Sequence, residues 1–308
     1  MTIENIQRIS KENFNSLQKH YSEGEAPVIP FVGSGLSTNP GLYQWEDLLR
    51  KMINHLGLHE DQFKAEFKAK EYAKIAQVVY EKSNHEEYIE FLTQAFEPTN
   101  DEASLIHVRL VRNFDTIITT NFDSILDNAA EEEGKVYKKQ IMPYFSILTL
   151  LSEPTIIYLH GHKNVGRFIL RTDDYELFYG EDKLLSLRDV LKPLIRDTYL
   201  VFLGFSFQDE HFRKMYEEIR INELIREQKE TERYFSLDSY PLKDHYIFTS
   251  WGKDEKSNAE IYESFNRLNI KPIFFEPGKF VEISKKIHTL TLKETKLKQE
   301  IGSEALDV

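Results

Sequence analysis

From Asp115 onward the chain alternates short apolar runs with longer amphipathic stretches, and this alternation narrows the available folds more than any other feature. The runs DTIIT (115–119), TIIYL (155–159), YLVFL (199–203), HYIFT (245–249) and KPIFF (271–275) have strand length and are rich in β-branched and aromatic residues. Apolar residues recur at helical spacing over 123–133, 183–197, 208–226, 256–268 and 279–288. Parallel strands need a crossover between them, and a helix is the usual crossover. The pattern therefore predicts an α/β fold: a Rossmann-like, mainly parallel sheet with helices on both faces. Upstream, 11–21 suits an amphipathic helix and VIPFV (28–32) a first strand. Between that strand and the next, 45–112 reads as helical throughout, with Trp45 to Leu56 its clearest segment, and is expected to form a helical insertion. The expected organisation is one domain over 1–290 with a charged tail over 291–308.

The first strand ends abruptly in Gly33-Ser34-Gly35, followed by the hydroxyl of Ser37. Glycine carries no Cβ, so the backbone can turn tightly there and bring its N–H groups against a diphosphate. The dinucleotide-binding fingerprint wants a third glycine where Thr38 sits, and many α/β proteins carry such a turn without binding anything at it.

Composition excludes several classes of function. The formal charge is −12, from 51 acidic against 39 basic residues, which argues against a free-standing nucleic-acid binder. The absence of cysteine removes disulfides, thiolate chemistry and Cys-ligated zinc, and is compatible with a reducing cytoplasm. The N-terminal residues show no signal-peptide core, and the longest apolar stretch, Tyr199 to Phe207, is too short for a bilayer. A soluble cytoplasmic protein without membrane contact is expected.

In open parallel sheets the ligand sits beyond the carboxyl ends of the strands, so those ends carry the functional reading. After the second strand comes TTNFD (119–123), after the third YLHGH (158–162), and after the fourth LGFSFQDEHF (203–212). Asn121 and Asp123 could simply cap the helix that follows, although that leaves unexplained why both flank Phe122. His160 could be a satisfied buried histidine, but Gly161 beside it permits a tight turn around an imidazole at the sheet edge. His160 and His162 form a His-x-His, yet no further ligand cluster lies at metal-binding spacing, and no metal is expected. Gly204 and Ser206 could form a plain strand-to-helix turn, with Asp209 favourable at the helix start.

As an ordered set, GSGLS, TTNFD, LHGH and GFSFQD resemble the sirtuin family over about Pro27 to Pro277. The resemblance implies a diphosphate cradle at Gly33, Ser34, Gly35 and Ser37, a site segment at Asn121 and Asp123, a catalytic histidine at His160, and adenosine contacts at Gly204 and Ser206. Sirtuin deacylases carry a four-cysteine zinc ribbon after the His-Gly pair, whereas this chain has residues 163–183 there and no cysteine. Trp45, Leu48, Leu49 and the DDYELF segment (173–178) are similar to the zinc-free, sirtuin-like branch of bacterial anti-phage immunity. Members of that branch hydrolyse NAD and usually work with a partner or a fused sensor. The resemblance therefore implies NAD as substrate, no zinc, a homo-oligomer, and a separate partner such as a HerA-type ATPase or a short Argonaute.

Cleaving the nicotinamide–ribose bond builds positive charge on the ribose while a neutral pyridine leaves, so the site must orient the ribose and the attacking water. On this reading Asn121 positions the ribose or the water, His160 acts as general base through the ribose hydroxyl or the water, and Asp123 steadies the nicotinamide side or the Asn121 loop. Nicotinamide and ADP-ribose are the expected products. The alternatives are a module that senses NAD or ADP-ribose without turnover, and a deacylase that has lost its zinc.

Overall fold

The computed structural model describes residues 1–37, 42–97, 104–142, 152–180, 186–234 and 242–291, apart from the side chains of 227–234. Seven strands form one parallel sheet: β1 (Val28–Val32), β2 (Thr116–Thr119), β3 (Lys138–Ile141), β4 (Thr155–Tyr158), β7 (Tyr199–Leu203), β8 (His245–Ser250) and β9 (Ile270–Phe275), in the order β3-β4-β2-β1-β7-β8-β9. Two residues each from β5 (Gly161–His162) and β6 (Arg167–Phe168) pair antiparallel beside it. This is the Rossmann-like α/β architecture that the strand–helix alternation predicts.

The topology explains where a ligand can sit. The chain winds outward from β1 through β2 toward β3, then returns to β1's other side with β7 and continues to β9. Crossovers leave β1 in opposite directions, which opens a crevice past its carboxyl end. Register aligns the strand ends there: Val32 pairs with both Thr119 and Leu203, and Thr119 with Tyr158. Four segments far apart in sequence thus emerge side by side.

Both sheet faces are covered. On one, α1 (Ile3–Glu23), α6 (Leu105–Asn113), α7 (Ile125–Glu132) and a helix over 281–291 pack Phe14, Leu17, Leu110, Ala129 and Ile287 against Val32, Ile117, Ile156 and Val201. On the other, helices Leu187–Asp197, Glu210–Tyr234 and Glu255–Arg267 pack Leu191, Tyr216 and Phe265 against Phe31, Ile118, Ile157 and Phe202. The central strands are apolar on both sides for this reason. Residues 181–185, where one helix was expected to begin, and 292–308, which hold most of the expected tail, lie outside the described residues.

Within the helical block, α2 (Trp45–His55), α3 (Lys64–Ala69), α4 (Tyr72–Lys82) and α5 (His85–Ala95) share their own core of Leu49, Met52, Phe63, Ile75, Val79 and Leu92. Its last helix, α6, differs: Ile106, Leu110 and Val111 join the sheet's core and pack α6 against α7. It is the crossover helix into β2.

Buried His107 in α6 gives a pH-dependent stability. Its only described side-chain partner is Ser104, whose Oγ lies 2.7 Å from Nδ1, and burial lowers its pKa from 6.5 to about 4. The unfolded chain therefore binds a proton that the fold excludes. The contribution is complete above about pH 6.5, is lost as pH falls toward about 4, and amounts to about 3 kcal/mol. His245 and His160 are lowered by burial too and act in the same direction. Denaturant unfolding at a series of pH values should show a shallower acid loss in His107→Gln than in the parent; equal slopes would contradict this origin.

Candidate active site

Phe122 answers the question raised by its polar neighbours. Its ring packs 4.9 Å from Phe96 and 5.4 Å from Phe168, inside the core of the helical insertion. With Phe122 anchored on that side, Asn121 and Asp123 join the glycine loop through Ser37. Both are buried. Asn121 Nδ2 donates to Ser37 Oγ at 2.8 Å and to the Gly33 carbonyl at 3.3 Å, and Ser37 Oγ donates to Asp123 Oδ2 at 2.8 Å. Thr119 completes the frame: its hydroxyl donates to the Val32 carbonyl and accepts the Asn121 N–H, both at 3.0 Å. These bonds fix the Asn121 amide so that its Nδ2 is spent on protein, while its buried Oδ1 has no hydrogen-bond partner among the described residues. A buried acceptor without a donor costs free energy, and a hydroxyl or water of a ligand would relieve it.

The capping expectation is met by one residue of the pair. Asp123 Oδ1 accepts the Ile125 N–H at 3.0 Å at the start of α7, whereas Asn121 makes no such bond. Burial raises the Asp123 pKa, opposed by the hydrogen bonds from Ile125 and Ser37. Ser37→Ala would strip a donor from Asp123 and an acceptor from Asn121 at once. The expected loss is about 1–3 kcal/mol in denaturant unfolding, and an unchanged midpoint would show that the chain of bonds is not formed.

The glycine loop is tied closely to its neighbours. The N–H of Gly33 donates to Leu203 O, that of Gly35 to Gly204 O, and that of Ser37 to Ser34 O, so these amides are used within the protein. The Ser37 hydroxyl faces Asp123. Glycine is required here by close approach of two loops: a Cβ on Gly33 would lie 2.6 Å from Gly204 O, and one on Gly204 would lie 2.4 Å from Leu36 N. Gly204 also has φ +62°, which favours glycine. Ser34 and Ser206 are exposed on the two interlocked turns. Thr38 lies outside the described residues.

Beyond these turns a cleft of about 450 Å³ opens over the ends of β1, β7, β8 and β9. Gly35, Gly204 and Ser206 line it, joined by Thr249 and Ser250, with Phe248, Phe275 and Phe280 among its apolar walls. Sequence reading missed the β8 hydroxyls, although Thr249 and Ser250 follow an apolar strand as directly as the residues it singled out. A second cleft, about 370 Å³, lies on the insertion among Glu46, Arg50 and Glu60, whose charges pair with one another.

His160 follows β4 and is buried. Gly161 makes this turn: its φ is +104°, and a Cβ there would come within 2.1 Å of Arg167 O in the paired β6. The His160 carbonyl accepts the Ile169 N–H at 2.7 Å, which fixes the backbone on the other side. Its Nε2 lies 2.5 Å from the Tyr179 hydroxyl and 4.0 Å from Asp209 Oδ2. Burial lowers the His160 pKa and the Asp209 charge opposes that shift. Tyr175 donates to Asp209 Oδ2 at 2.9 Å and stacks on His211 at 4.5 Å. Tyr175 and Tyr179 sit one turn apart on the helix Thr172–Tyr179, within the DDYELFY stretch. That i, i+4 pair was the available signal for them.

His162 points elsewhere. Its Nε2 approaches Asp127 Oδ2 at 3.2 Å, on a carboxylate that also holds Lys139 and the Tyr158 hydroxyl. Among the described residues no group of three or more His, Cys, Asp or Glu side chains is arranged to hold a metal ion. No helix among them is long and apolar enough to cross a membrane.

Comparison with known proteins places this geometry in context. The family described as SIR2-like domain matches residues 115–273. Defense-associated sirtuin 2 of Bacillus subtilis is 28% identical over 207 residues, covering 65% of this chain and 20% of that protein. NAD(+) hydrolase ThsA of Acinetobacter baumannii (strain 532279) is 29% identical over 258 residues, covering 81% of this chain and 48% of that protein. NAD(+) hydrolase ThsA of Cytobacillus dafuensis is 23% identical over 299 residues, covering 90% and 55%. The chain thus spans about half the length of these two hydrolases and about a fifth of the Bacillus subtilis protein.

Proposed function

This chain belongs to the SIR2-like domain family, and from that premise we propose that it is an NAD hydrolase of anti-phage defence, cleaving the nicotinamide–ribose bond to give nicotinamide and ADP-ribose. The observation that carries the reading is the buried Oδ1 of Asn121, unpartnered among the described residues and held in place by Ser37 and Gly33 one strand away from buried His160. An acceptor fixed in that way suits a ribose hydroxyl or an attacking water. His160, kept neutral by burial, is available as a base at neutral pH. The cleft at Ser206, Thr249 and Ser250, with phenylalanine walls, suits an adenosine: hydroxyls for its ribose and apolar surface for its base. The relatives named NAD(+) hydrolase support the same substrate.

In the proposed reaction Asn121 orients the nicotinamide ribose or the water, and His160 accepts the proton released as the new C–O bond forms. Asp123 acts through Ser37 by holding the Asn121 amide, the reading that its bond to Ser37 supports. With the amides of Gly33 and Gly35 engaged inside the protein, the diphosphate is left to the exposed face of the turn at Ser34. Zinc has no part in the proposed chemistry. Restraint of such an activity would come from self-association and from a separate partner of the HerA-type ATPase or short Argonaute kind. Exposed Ile221, Leu224 and Ile225 on the helix Glu210–Tyr234 offer one face for such contacts.

Chromatography of NAD incubated with the purified protein tests the proposal. Nicotinamide and ADP-ribose should appear in equal amounts, with or without acetylated peptide. Product formation that requires the peptide would indicate deacylation instead, and tight NAD binding without turnover, even with its partner present, would indicate a sensor.

A further inference from the structure

Within the NAD-hydrolase reading, one cluster remains without a role: the Tyr179, Tyr175 and Asp209 side chains gathered around the His160 ring. Tyr179 meets Nε2 at 2.5 Å, and among the described residues Nδ1 has no hydrogen-bond partner. The Asp209 carboxylate is fixed from three directions. Its Oδ2 accepts from Tyr175 at 2.9 Å, and its Oδ1 accepts the N–H groups of His211 and Phe212, each at 3.0 Å, at the start of the helix Glu210–Tyr234. That carboxylate stands 4.0 Å from His160 Nε2.

Resting on that reading, we infer that Tyr179 and Asp209 are the positioning residues of His160: Tyr179 accepts the Nε2 proton, so that Nδ1 presents its lone pair to the substrate, and Asp209 faces the imidazolium once it forms. The tautomer of a histidine is set by the bond its other nitrogen makes. A buried imidazolium gains from a fixed carboxylate that costs no reorganisation during the reaction. The proton balance follows. A water oxygen bonds to the ribose C1′ and gives its proton to Nδ1; the C1′–N bond breaks and its electron pair leaves with nicotinamide. NAD and water become nicotinamide, ADP-ribose and one proton held on His160. The surrounding groups are consistent with this assignment. Helix Thr172–Tyr179 turns Tyr175 and Tyr179 toward the ring, while its Asp174 is paired with Arg171. From the β2 end the ring is met by apolar Phe122, and neighbouring His162 is turned to Asp127. Among the described residues Asp209 is then the carboxylate that faces His160.

The test reads the histidine directly and so does not depend on turnover. In nitrogen-15 NMR of the full chain labelled at histidine, the His160 signals are identified by their loss in His160→Ala. The parent should show the Nε2–H tautomer. Asp209→Asn, which keeps the size and the helix-capping oxygen, should move the His160 titration to lower pH; Tyr179→Phe should lose the tautomer preference. In the rate assay, Asp209→Asn should lower kcat by about tenfold or more with little change in KM, and move the acid limb of the pH profile to lower pH. An Nδ1–H tautomer in the parent, or an unmoved titration in Asp209→Asn, overturns the inference. If Asp209→Asn does not fold, the parent tautomer and Tyr179→Phe decide it. Failure of the parent to release nicotinamide would count against the hydrolase reading alone.

Discussion

His160→Ala is expected to lower nicotinamide release from NAD by about 10²- to 10⁴-fold, the range for loss of a positioned general base. Asn121→Ala should cause a loss of similar order for a different reason. It removes the buried Oδ1 that has no donor among the described residues and with it the group that orients the ribose or the water. The two variants should also differ in stability. His160 is joined to Tyr179 and flanked by Tyr175, whereas Asn121 ties the glycine loop to the end of β2 through Ser37 and Gly33. Asn121→Ala is therefore expected to cost about 1 kcal/mol or more from its lost hydrogen bonds. Steady-state rates at saturating NAD, paired with denaturant unfolding, separate the effects. Full activity in both variants would remove the chemistry from these strand ends.

The largest structural effect is expected from Gly161→Ala. The φ of +104° is strained for any residue with a Cβ, and the added carbon would sit 2.1 Å from the Arg167 carbonyl. That oxygen belongs to the short β5–β6 pairing, so relief requires the hairpin to part or the His160 turn to flatten. A cost of about 3–5 kcal/mol is expected, a large share of the stability of a typical domain. Activity should fall as well, because either form of relief moves His160. Thermal unfolding that matches the parent would mean that the turn is not built as described.

The sheet was largely legible because its central strands are apolar on both faces and short. Val28–Val32 and Tyr199–Leu203 coincide with the expected runs, and the others differ by a residue at their ends. Strand β3 was not legible. Its sequence KKQI is polar because it is an edge strand whose lysines face outward, Lys139 toward Asp127. The helix Thr172–Tyr179 was missed because it is two turns long: its apolar stripe of Tyr175, Phe178 and Tyr179 spans a single turn, with exposed Leu177 beside it. Tyr175 and Tyr179 went with it.

At the site, sequence order drew attention to strand ends that parallel register brings together, with Val32, Thr119, Tyr158 and Leu203 at one edge. It did not reveal what the glycines do. Their absence of Cβ is equally suited to a ligand and to another loop, and the second use, with Gly204 O 2.6 Å from the Cβ position of Gly33, is visible only in three dimensions. The part played by Ser37 was hidden in the same way, since a hydroxyl after a glycine turn reads alike whether it faces phosphate or Asp123.

A crystal structure of His160→Ala soaked with NAD tests the central claim most directly, since this variant should bind the dinucleotide without consuming it. The account predicts the nicotinamide ribose within hydrogen-bond distance of Asn121 Oδ1 and the adenosine in the cleft beside Ser206, Thr249 and Ser250. NAD bound with its ribose away from Asn121, or at another surface altogether, would contradict it.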